Sequence, residues 1–375
     1  MIIRNGEVFF EGRFQKKEVR IEDGKIAEVA DRILLKEDEE MLDLDGRLLL
    51  PGLVDVHSHG RAGEDFNFAD RSGLQTLCDS YAACGVTSVL GTTMTNEPSA
   101  IRRAMETIGA YRKEAHSGAR LLGIHMEGPF LGKAKRGAHD EQYLRNIDMA
   151  WFEEMNSLSG NCIRIVSIDP CLDGAAYFIK ECRSRGIVVS LAHTGCDYET
   201  AKMAAWAGAD HVTHLFNAMS PLHHRMPGLI GAAFDCGMFT ELICDGIHLH
   251  EAIIRMMFAM RPERQLLISD SMQAAGLPDG TYSLGGLTVF VKDSKATLAD
   301  GTIAGSTTNV YAAMVQAIKF GIPTEQAVLS ASRLPAESIG MGKEIGSIAE
   351  GMYADLLVAD KDWTLQQVYI GGTPL

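Results

Sequence analysis

The middle of the chain alternates short apolar segments with segments of helical length, and this alternation limits the fold more than any other feature. Eight apolar segments recur between residues 53 and 272, from "LVDVHSH" to "QLLISDSM", and segments such as "GLQTLCDSYAACG" with helical periodicity separate them. Strands that alternate with helices are typical of a parallel sheet, because each crossover returns the chain to the same edge. Eight such units predict an α/β fold of the TIM type, a (β/α)₈ barrel.

The two ends of the chain have a different pattern. Residues 1–50 and 345–375 contain short strand-like runs separated by turn residues, among them the hairpin signal Asp23-Gly24. We predict that both termini together form one small β-sandwich and that residues 51–344 form the barrel. A glycine-punctuated run near 279–302, "GTYSLGGLTVFVKDSKATLADG", predicts a β-hairpin excursion after the eighth strand.

The composition argues against several classes of partner. The 375 residues include 35 Lys and Arg against 49 Asp and Glu, and the formal net charge of −14 disfavours binding to nucleic acid or to an anionic membrane. The N-terminus, "MIIRNGEVFFEG", lacks the apolar run of a signal peptide, and no apolar run approaches the roughly 20 residues of a membrane span. We therefore expect a cytoplasmic protein that binds neither nucleic acid nor membrane.

Polar side chains stand at the carboxyl end of nearly every predicted strand. In a barrel these ends meet on one face, which is where active sites lie. Contact with solvent is a sufficient explanation for Thr92 and Asp169, but not for the repeated histidines. The residues concerned are His57, His59, Thr92, Glu127, Asp169, His193, His214, Asp245, His248 and Asp270.

The histidines and Glu127 have the chemistry of a metal site. His57 and His59 are two residues apart, so both side chains leave a strand on the same face. Alone, this pair is a weak signal, and His193 or His214 alone is more simply explained as a hydrogen-bonded core histidine. Five converging His and Glu side chains favour one or two divalent ions, with Zn²⁺ expected first and Fe²⁺, Mn²⁺ or Co²⁺ as alternatives.

Asp270 ends the eighth predicted strand, in "LLISDSM". A carboxylate beside a metal is placed to take a proton from an attacking water and to return it to a leaving group. The structural alternative is an aspartate that only orients a ligand or caps the next segment. We favour the role of general acid and base.

Eight segments that follow one another along the chain carry a family resemblance. They are "PGLVDVHSHG", "HMEGPF", "LAHT", "THLFNAMSPLHHRMPG", "CDGIHLH", "LISDSMQAAG", "IAGSTTN" and "GSIAEGMYADLLV". Together they resemble the N-acetylglucosamine-6-phosphate deacetylases of the amidohydrolase superfamily, and the resemblance covers essentially the whole chain. It implies metal-dependent hydrolysis of the acetamide of N-acetyl-D-glucosamine 6-phosphate to D-glucosamine 6-phosphate and acetate, in amino-sugar catabolism.

The resemblance also implies how the metal ligands divide. Glu127, His193 and His214 would hold the principal ion, and His57 and His59 would hold a second one. No lysine ends the fourth predicted strand, "RIVSIDP", so that Glu127 could bridge two ions where some relatives use a modified lysine.

The same resemblance implies roles in catalysis and substrate binding. Asp270 matches a catalytic aspartate, and His139 matches a histidine that polarises the acetamide carbonyl. Arg225, whose planar guanidinium suits a phosphate, matches an arginine that can reach the neighbouring subunit's site, which implies a homodimer. We expect His223 and His224 to support Arg225 rather than to bind metal. The positions that match contacts to the sugar phosphate are Ala138, His139, Asn217, Ala218, Arg225, His248, Ala304, Gly305 and Ser306.

Three other functions stay open at this point. Deacetylation of N-acetylgalactosamine 6-phosphate differs only in the configuration at one hydroxyl, which the motifs do not distinguish. A hydrolase of cyclic amides or N-acyl amino acids would have no phosphate for "HHRMPG" to bind. A non-catalytic sugar-phosphate-binding relative would be expected to have lost part of the metal set.

Overall fold

Eight parallel strands form the predicted barrel. In the computed structural model, which describes residues 1–114 and 116–375, these strands pair with one another in chain order. The eighth strand returns to the first, because the amide of Asp270 donates to His57 O and that of His59 to Ser271 O, both at 2.9 Å. The prediction of a (β/α)₈ barrel is therefore confirmed. The barrel strands are Leu53–Ser58, Val86–Thr93, Arg120–Glu127, Ile163–Ile168, Val188–Leu191, His211–Val212, Phe239–Ile243 and Gln265–Ile268.

A helix follows each barrel strand, and aspartates start several of these helices. The Asp70 carboxylate accepts from the amides of Ser72 and Gly73, which satisfies two main-chain donors at the start of the first helix. The helices that follow the eight strands are Arg71–Ala83, Pro98–Tyr111, Met149–Leu158, Ala175–Ser184, Tyr198–Ala207, Gly228–Cys236, Glu251–Met260 and Val310–Lys319. Thr324–Ala331 and Arg333–Ser338 are two further helices, and Lys133–Lys135, Glu141–Tyr143 and Pro262–Arg264 are short 3₁₀ helices.

The barrel strands place apolar side chains against the helices and polar ones inside. Leu242, in the seventh strand, belongs to the large apolar cluster that also contains helix residues such as Phe152 and Phe178. Since side chains alternate along a strand, the preceding residue, Glu241, projects to the opposite face. His125, Ser167, Ser190 and Glu241 are all fully buried, and each neighbours a member of the apolar cluster. The barrel interior therefore contains several buried polar side chains below the site.

Strands from both termini form two sheets with an apolar layer between them, as predicted. The strands Leu48–Pro51 and Leu356–Ala359 pair antiparallel, so the beginning and the end of the chain share one sheet. Buried Ile3, Val19 and Leu356 belong to the cluster that separates the two sheets. The four-stranded sheet contains Ile2–Arg4, Glu18–Glu22, Lys25–Ala30 and Met41–Asp43; the six-stranded sheet contains Glu7–Phe10, Arg13–Gln15, Leu48–Pro51, Leu356–Ala359, Leu365–Ile370 and Thr373–Pro374.

Two small insertions border the carboxyl ends of the barrel strands. After the first barrel strand, the short strands Gly60–Arg61 and Glu64–Asp65 pair with each other. After the eighth, Gly280–Leu284, Leu287–Lys292 and Lys295–Thr297 form a three-stranded antiparallel sheet within the segment where the sequence suggests an excursion. Across the part of the chain that the structure describes, none of the helices combines the length and the apolar character that a membrane crossing requires.

Candidate active site

Glu127 lies at the centre of a buried cluster of histidines at the mouth of the barrel. Its Oε1 is 3.0 Å from His214 Nε2 and 3.1 Å from His193 Nε2. Its Oε2 is 3.1 Å from His59 Nε2 and 3.5 Å from His57 Nε2. The two oxygens of one carboxylate therefore face two different pairs of histidines.

Within each pair the ring nitrogens face each other as well as an oxygen of Glu127. The Nε2 atoms of His193 and His214 are 3.1 Å apart, and those of His57 and His59 are 3.3 Å apart. Two neutral imidazoles cannot both present a lone pair at this distance without a cation between them. The arrangement is suited to a proton or to a metal ion.

The outer nitrogens of three histidines have acceptors that determine which nitrogen carries the proton. His193 Nδ1 lies 2.9 Å from Lys135 O, and His59 Nδ1 lies 3.3 Å from Thr92 O. His57 Nδ1 lies 2.8 Å from a carboxylate oxygen of Glu241. Because carbonyl and carboxylate oxygens only accept, each Nδ1 carries a proton, and each Nε2, which faces Glu127, can present its lone pair when a metal ion replaces the proton there. This tautomer is the one that a metal-binding histidine needs, so the residues fit a divalent ion.

Several of these residues have main-chain conformations that side chains rarely adopt. The φ angles of His193, His214 and Asp270 are 46°, 29° and 47°, and Phe216 and Ala218 also have positive φ. A residue other than glycine in this region costs about 1–3 kcal/mol. At His193, His214 and Asp270 this conformation directs the side chains of three strand ends into the same site.

The two carboxylates that face the cavity are ionised. Burial raises the pKa of Asp270, but the charge of His57 and the contact with His59 lower it to about 2. Burial also raises the pKa of Glu127, but the charge of His57 and the contacts with the neighbouring histidines together hold it well below its usual range. Asp270 Oδ1 lies 3.2 Å from His59 Nε2. Both carboxylates are therefore ionised at neutral pH, and together they attract a cation.

His139 lies on the loop after the third barrel strand and is a neutral hydrogen-bond donor. Its Nδ1 accepts from the amide of Thr95 at 3.3 Å and lies 2.9 Å from Thr95 Oγ1. The ring proton is therefore on Nε2, which is 3.6 Å from Glu127 Oε2. Burial lowers the pKa of His139 to about 4, so the ring is uncharged at neutral pH. It can donate to a ligand beside Glu127.

A cavity of about 310 Å³ opens above the cluster. Its size lies at the lower end of the roughly 300–1,000 Å³ range of small-molecule sites. The residues proposed from the sequence that line it are His59, Glu127, Ala138, His139, His193, His214, Asn217, Ala218, His248, Gly305 and Asp270. Met94, Leu284, Thr302 and Ile303 line it as well and were not proposed from the sequence. The excursion thus contributes Leu284 to the cavity wall.

Ala304 and Ser306 lie behind this wall rather than on it. Both are buried, and their amides donate within the protein, Ala304 N to Ala296 O at 3.1 Å and Ser306 N to Asp270 O at 2.7 Å. Gly305, between them, is the residue of this segment that reaches the cavity. The second hydrogen bond attaches this segment directly to the main chain of Asp270.

Arg225 lies outside the cavity, on a separate groove that it shares with Tyr198 and Met226. Its Nη1 is 2.7 Å from His224 Nε2, and its amide donates to His223 Nδ1 at 3.3 Å. The two histidines therefore contact the arginine and not the histidine cluster around Glu127. Among the residues that the structure describes, the cavity wall contains neither lysine nor arginine.

Two residues that contact the cluster were not found from the sequence. Glu241 interrupts the apolar run "TELICDG", and a charge inside a parallel strand is a signal that could have found it, since such strands are normally apolar. Thr95 carries no such signal, because a threonine after a strand is common. Its contact with His139 depends on how the loop folds back.

The fold and the site together define a metal-dependent amide hydrolase, and the chain belongs to the amidohydrolase family. Residues 48–375 match the model of that family, so the match begins at the last strand of the N-terminal segment and continues to the end of the chain. The matched region includes all eight barrel strands and every residue of the cluster around Glu127.

Individual relatives narrow the comparison to the deacetylation of amino-sugar phosphates. The chain is 36% identical over 328 residues to the N-acetylglucosamine-6-phosphate deacetylase of Vibrio furnissii, which covers 86% of this chain and 82% of that protein. It is 34% identical over 364 residues to the N-acetylgalactosamine-6-phosphate deacetylase of Escherichia coli O157:H7, with 96% and 95% covered. The crystal structure of N-acetylglucosamine-6-phosphate deacetylase from Pasteurella multocida superposes with a TM-score of 0.94 at 27% identity, over 100% of this chain and 99% of that one.

Proposed function

We propose that this chain hydrolyses the acetamide of N-acetyl-D-glucosamine 6-phosphate to D-glucosamine 6-phosphate and acetate. The observation that carries the proposal is the cluster around Glu127, in which inward-facing histidine lone pairs, an ionised Asp270 and a neutral His139 share one cavity. The relatives that share the fold and most of the chain length are deacetylases of amino-sugar phosphates. Since a sugar phosphate does not cross membranes unaided, we place the reaction in the cytoplasm.

One or two divalent ions complete the site in this proposal. Glu127, His193 and His214 would hold one ion, and His57 and His59 the other, with an oxygen of Glu127 facing each pair. A bound ion supplies Lewis acidity toward the substrate carbonyl and lowers the pKa of water. Zn²⁺ is the first candidate because it accepts a set of imidazole and carboxylate ligands, as Fe²⁺, Mn²⁺ and Co²⁺ also do.

The protein's own groups move the proton and stabilise the developing charge. His139 Nε2–H donates to the acetamide oxygen as the carbonyl carbon becomes tetrahedral, which stabilises the negative charge on that oxygen. Asp270 accepts a proton from the attacking water as the new C–O bond forms. It then donates this proton to the amide nitrogen as the C–N bond breaks, so that the sugar amine and acetate leave.

We also propose that the phosphate is held by Arg225 of a second subunit in a homodimer. The wall of the described cavity offers Asn217 and His248 to a phosphate but no permanent cation. Arg225 is exposed on the loop that follows the sixth barrel strand, and its guanidinium contacts His224. A guanidinium can donate two parallel hydrogen bonds to a phosphate. Because Arg225 lies outside the cavity of its own subunit, it is free to reach the cavity of a second subunit.

Deacetylation of N-acetylgalactosamine 6-phosphate is the second candidate, because the relative from Escherichia coli O157:H7 covers 96% of this chain at nearly the same identity. Acetate release should be measured with both sugar phosphates, with unphosphorylated N-acetylglucosamine and with an N-acyl amino acid, and metal content should be measured on the same sample. We expect the gluco isomer to give the highest kcat/KM, with bound metal present. Faster turnover of the galacto isomer or of the acyl amino acid would overturn the assignment, and metal-loaded protein that releases no acetate would reject an enzymatic role.

A further inference from the structure

Glu241 is a carboxylate inside the barrel to which the proposed reaction gives no step. It lies in the seventh barrel strand, Phe239–Ile243, and its side chain is fully buried. One oxygen, Oε2, lies 2.8 Å from His57 Nδ1 and also accepts from the amide of His214 at 3.1 Å. This single oxygen therefore contacts a residue from each half of the histidine cluster.

Burial of this carboxylate calls for a function in the site. A buried charge is unfavourable unless it is paired and hydrogen-bonded, and an apolar side chain would fill an interior position without that cost. The second oxygen of Glu241 faces His211 Nδ1 at 3.6 Å, which is longer than a hydrogen bond. The short contacts of the carboxylate are thus those to His57 and to the His214 main chain.

The contact with His57 differs from those of the other outward-facing ring nitrogens. His59 and His193 direct Nδ1 to main-chain carbonyls, those of Thr92 and Lys135, whereas His57 directs Nδ1 to a carboxylate. A carboxylate acceptor orients the ring, fixes the proton on Nδ1 and makes Nε2 a stronger electron donor. His57 Nε2 in turn points at His59 Nε2, 3.3 Å away.

We propose that Glu241 is a positioning residue that acts through His57 to make the His57–His59 pair bind an ion tightly. This inference rests on the metal-dependent function proposed above and adds a residue that controls how many ions the site retains. The ion at Glu127, His193 and His214 should depend on Glu241 much less. Its ligand nitrogens keep their orientation through the Lys135 carbonyl and the strand ends, and a neutral amide oxygen can still accept from the His214 amide.

The test is a Zn²⁺ titration of metal-free protein against a competing chelator, with bound ions counted by mass spectrometry. Glu241→Gln keeps the size of the side chain and an acceptor oxygen but removes the charge. We expect the dissociation constant of one ion to rise about 10–100-fold, the usual effect of losing such an acceptor, and that of the other to change less than about threefold. Glu241→Asp keeps the charge but shortens the side chain, so it should weaken binding of the second ion relative to the wild type, though less than Glu241→Gln does. The comparison of Glu241→Asp with the wild type remains a test if the glutamine variant does not fold.

Thr240→Val is the matched control. Thr240 precedes Glu241 in the same strand, is also buried, and donates to Gln265 Oε1 at 2.7 Å on the other side of the strand. The control removes a buried hydrogen bond without touching the cluster, so it should lower thermal stability and leave both dissociation constants unchanged. A loss of the second ion in Thr240→Val as well would assign the effect to strand packing and overturn the proposal.

A double-mutant cycle with His57→Asn tests whether Glu241 acts through His57. In the His57→Asn background the second ion is bound weakly, through the remaining ligands, and adding Glu241→Gln should not weaken its binding further. Four results would each overturn the proposal. They are further weakening of metal binding in that background, equal weakening of both ions by Glu241→Gln, no change in the binding of either ion, and a wild-type protein that binds a single ion. Wild-type protein that binds two ions but releases no acetate would instead reject the proposed activity and leave the role of Glu241 intact.

Discussion

Charged side chains are buried in two regions of this molecule, the terminal sandwich and the mouth of the barrel, and they are satisfied in different ways. In the sandwich, Arg20 Nε donates to Glu39 Oε1 at 2.9 Å and Arg20 Nη1 donates to Glu28 Oε2 at 2.6 Å. At the barrel mouth, Glu127 faces histidine nitrogens that also face one another at 3.1 Å and 3.3 Å.

This difference distinguishes charged groups that stabilise the fold from charged groups that are arranged to bind a ligand. The Arg20 network pairs donors with acceptors from the chain itself, so its members are complete in the folded protein. The barrel mouth combines ionised acids, inward-facing lone pairs and left-handed main chain at His193 and Asp270. Such an arrangement lowers the stability of the fold relative to simple apolar packing. Proteins retain strain of this kind at positions where it has a function. Changes at the mouth should therefore affect activity, and changes in the sandwich should affect stability.

The largest effect is expected from Asp270→Asn. An amide of the same shape cannot take the proton from the attacking water, so kcat should fall by about 10²–10⁴-fold. Metal content should remain nearly that of the wild type, and the melting temperature should fall slightly at neutral pH, because the contacts with His57 and His59 that lower the pKa of Asp270 stabilise the folded state. Steady-state acetate release, metal analysis and thermal denaturation on one preparation check the three expectations.

Asp169→Asn is the matched control for this variant. Asp169 also follows a barrel strand, but its Oδ1 accepts from Thr194 Oγ1 at 2.5 Å and from the amide of Cys171 at 2.9 Å, so its role is structural. It should lose stability and keep kcat within about tenfold. An Asp270→Asn enzyme that keeps kcat within tenfold would remove Asp270 from proton transfer and would weaken the contrast between the two regions.

The barrel could be predicted from the sequence because its signals are local. Each strand and each helix has its own periodicity of apolar residues. The direction of the chain then shows which residue lies at the carboxyl end of each strand. His57, His59, Glu127, His193 and His214 needed only the assumption that parallel strands end on one face. The structure brings the four histidines together around the carboxylate of Glu127.

The remaining features of the site depend on contacts between distant parts of the chain. Glu241 meets His57 across 184 positions of sequence, and Thr95 meets His139 because two loops fold onto each other. The family resemblance implies substrate contacts at Ala304, Gly305 and Ser306. In the structure the amides of Ala304 and Ser306 already donate hydrogen bonds within the protein. Periodicity carries no information about such pairings, which is why they could not be predicted.

Arg225→Ala tests whether the groove outside the cavity belongs to the substrate site. Hydrogen bonds to a charged group contribute about 1.5–3 kcal/mol, so KM for the sugar phosphate should rise about 10–100-fold with little change in kcat. Unphosphorylated N-acetylglucosamine should show no change. Arg136→Ala is the control, because Arg136 is exposed and already faces Glu141 at 3.6 Å, and we expect nearly wild-type KM. An equal rise in KM for both sugars would reject the phosphate contact.

The smallest effect, on stability alone, is expected from Glu39→Gln in the sandwich. The hydrogen bond from Arg20 is the main reason that the pKa of Glu39 is lowered from 4.5 to about 2. A carboxyl with a lower pKa in the folded state stabilises the fold fully above the pKa of the unfolded chain, and this contribution is lost as pH falls through the folded value. The urea midpoint of Glu39→Gln should therefore lie below that of the wild type at pH 7, and the difference should shrink between about pH 4.5 and 2. Glu37→Gln, at an exposed position nearby, should leave the midpoint unchanged. Because kcat should be that of the wild type in both variants, a Glu39→Gln enzyme with altered turnover would show that the two regions are coupled, and that charge in the sandwich also serves the site.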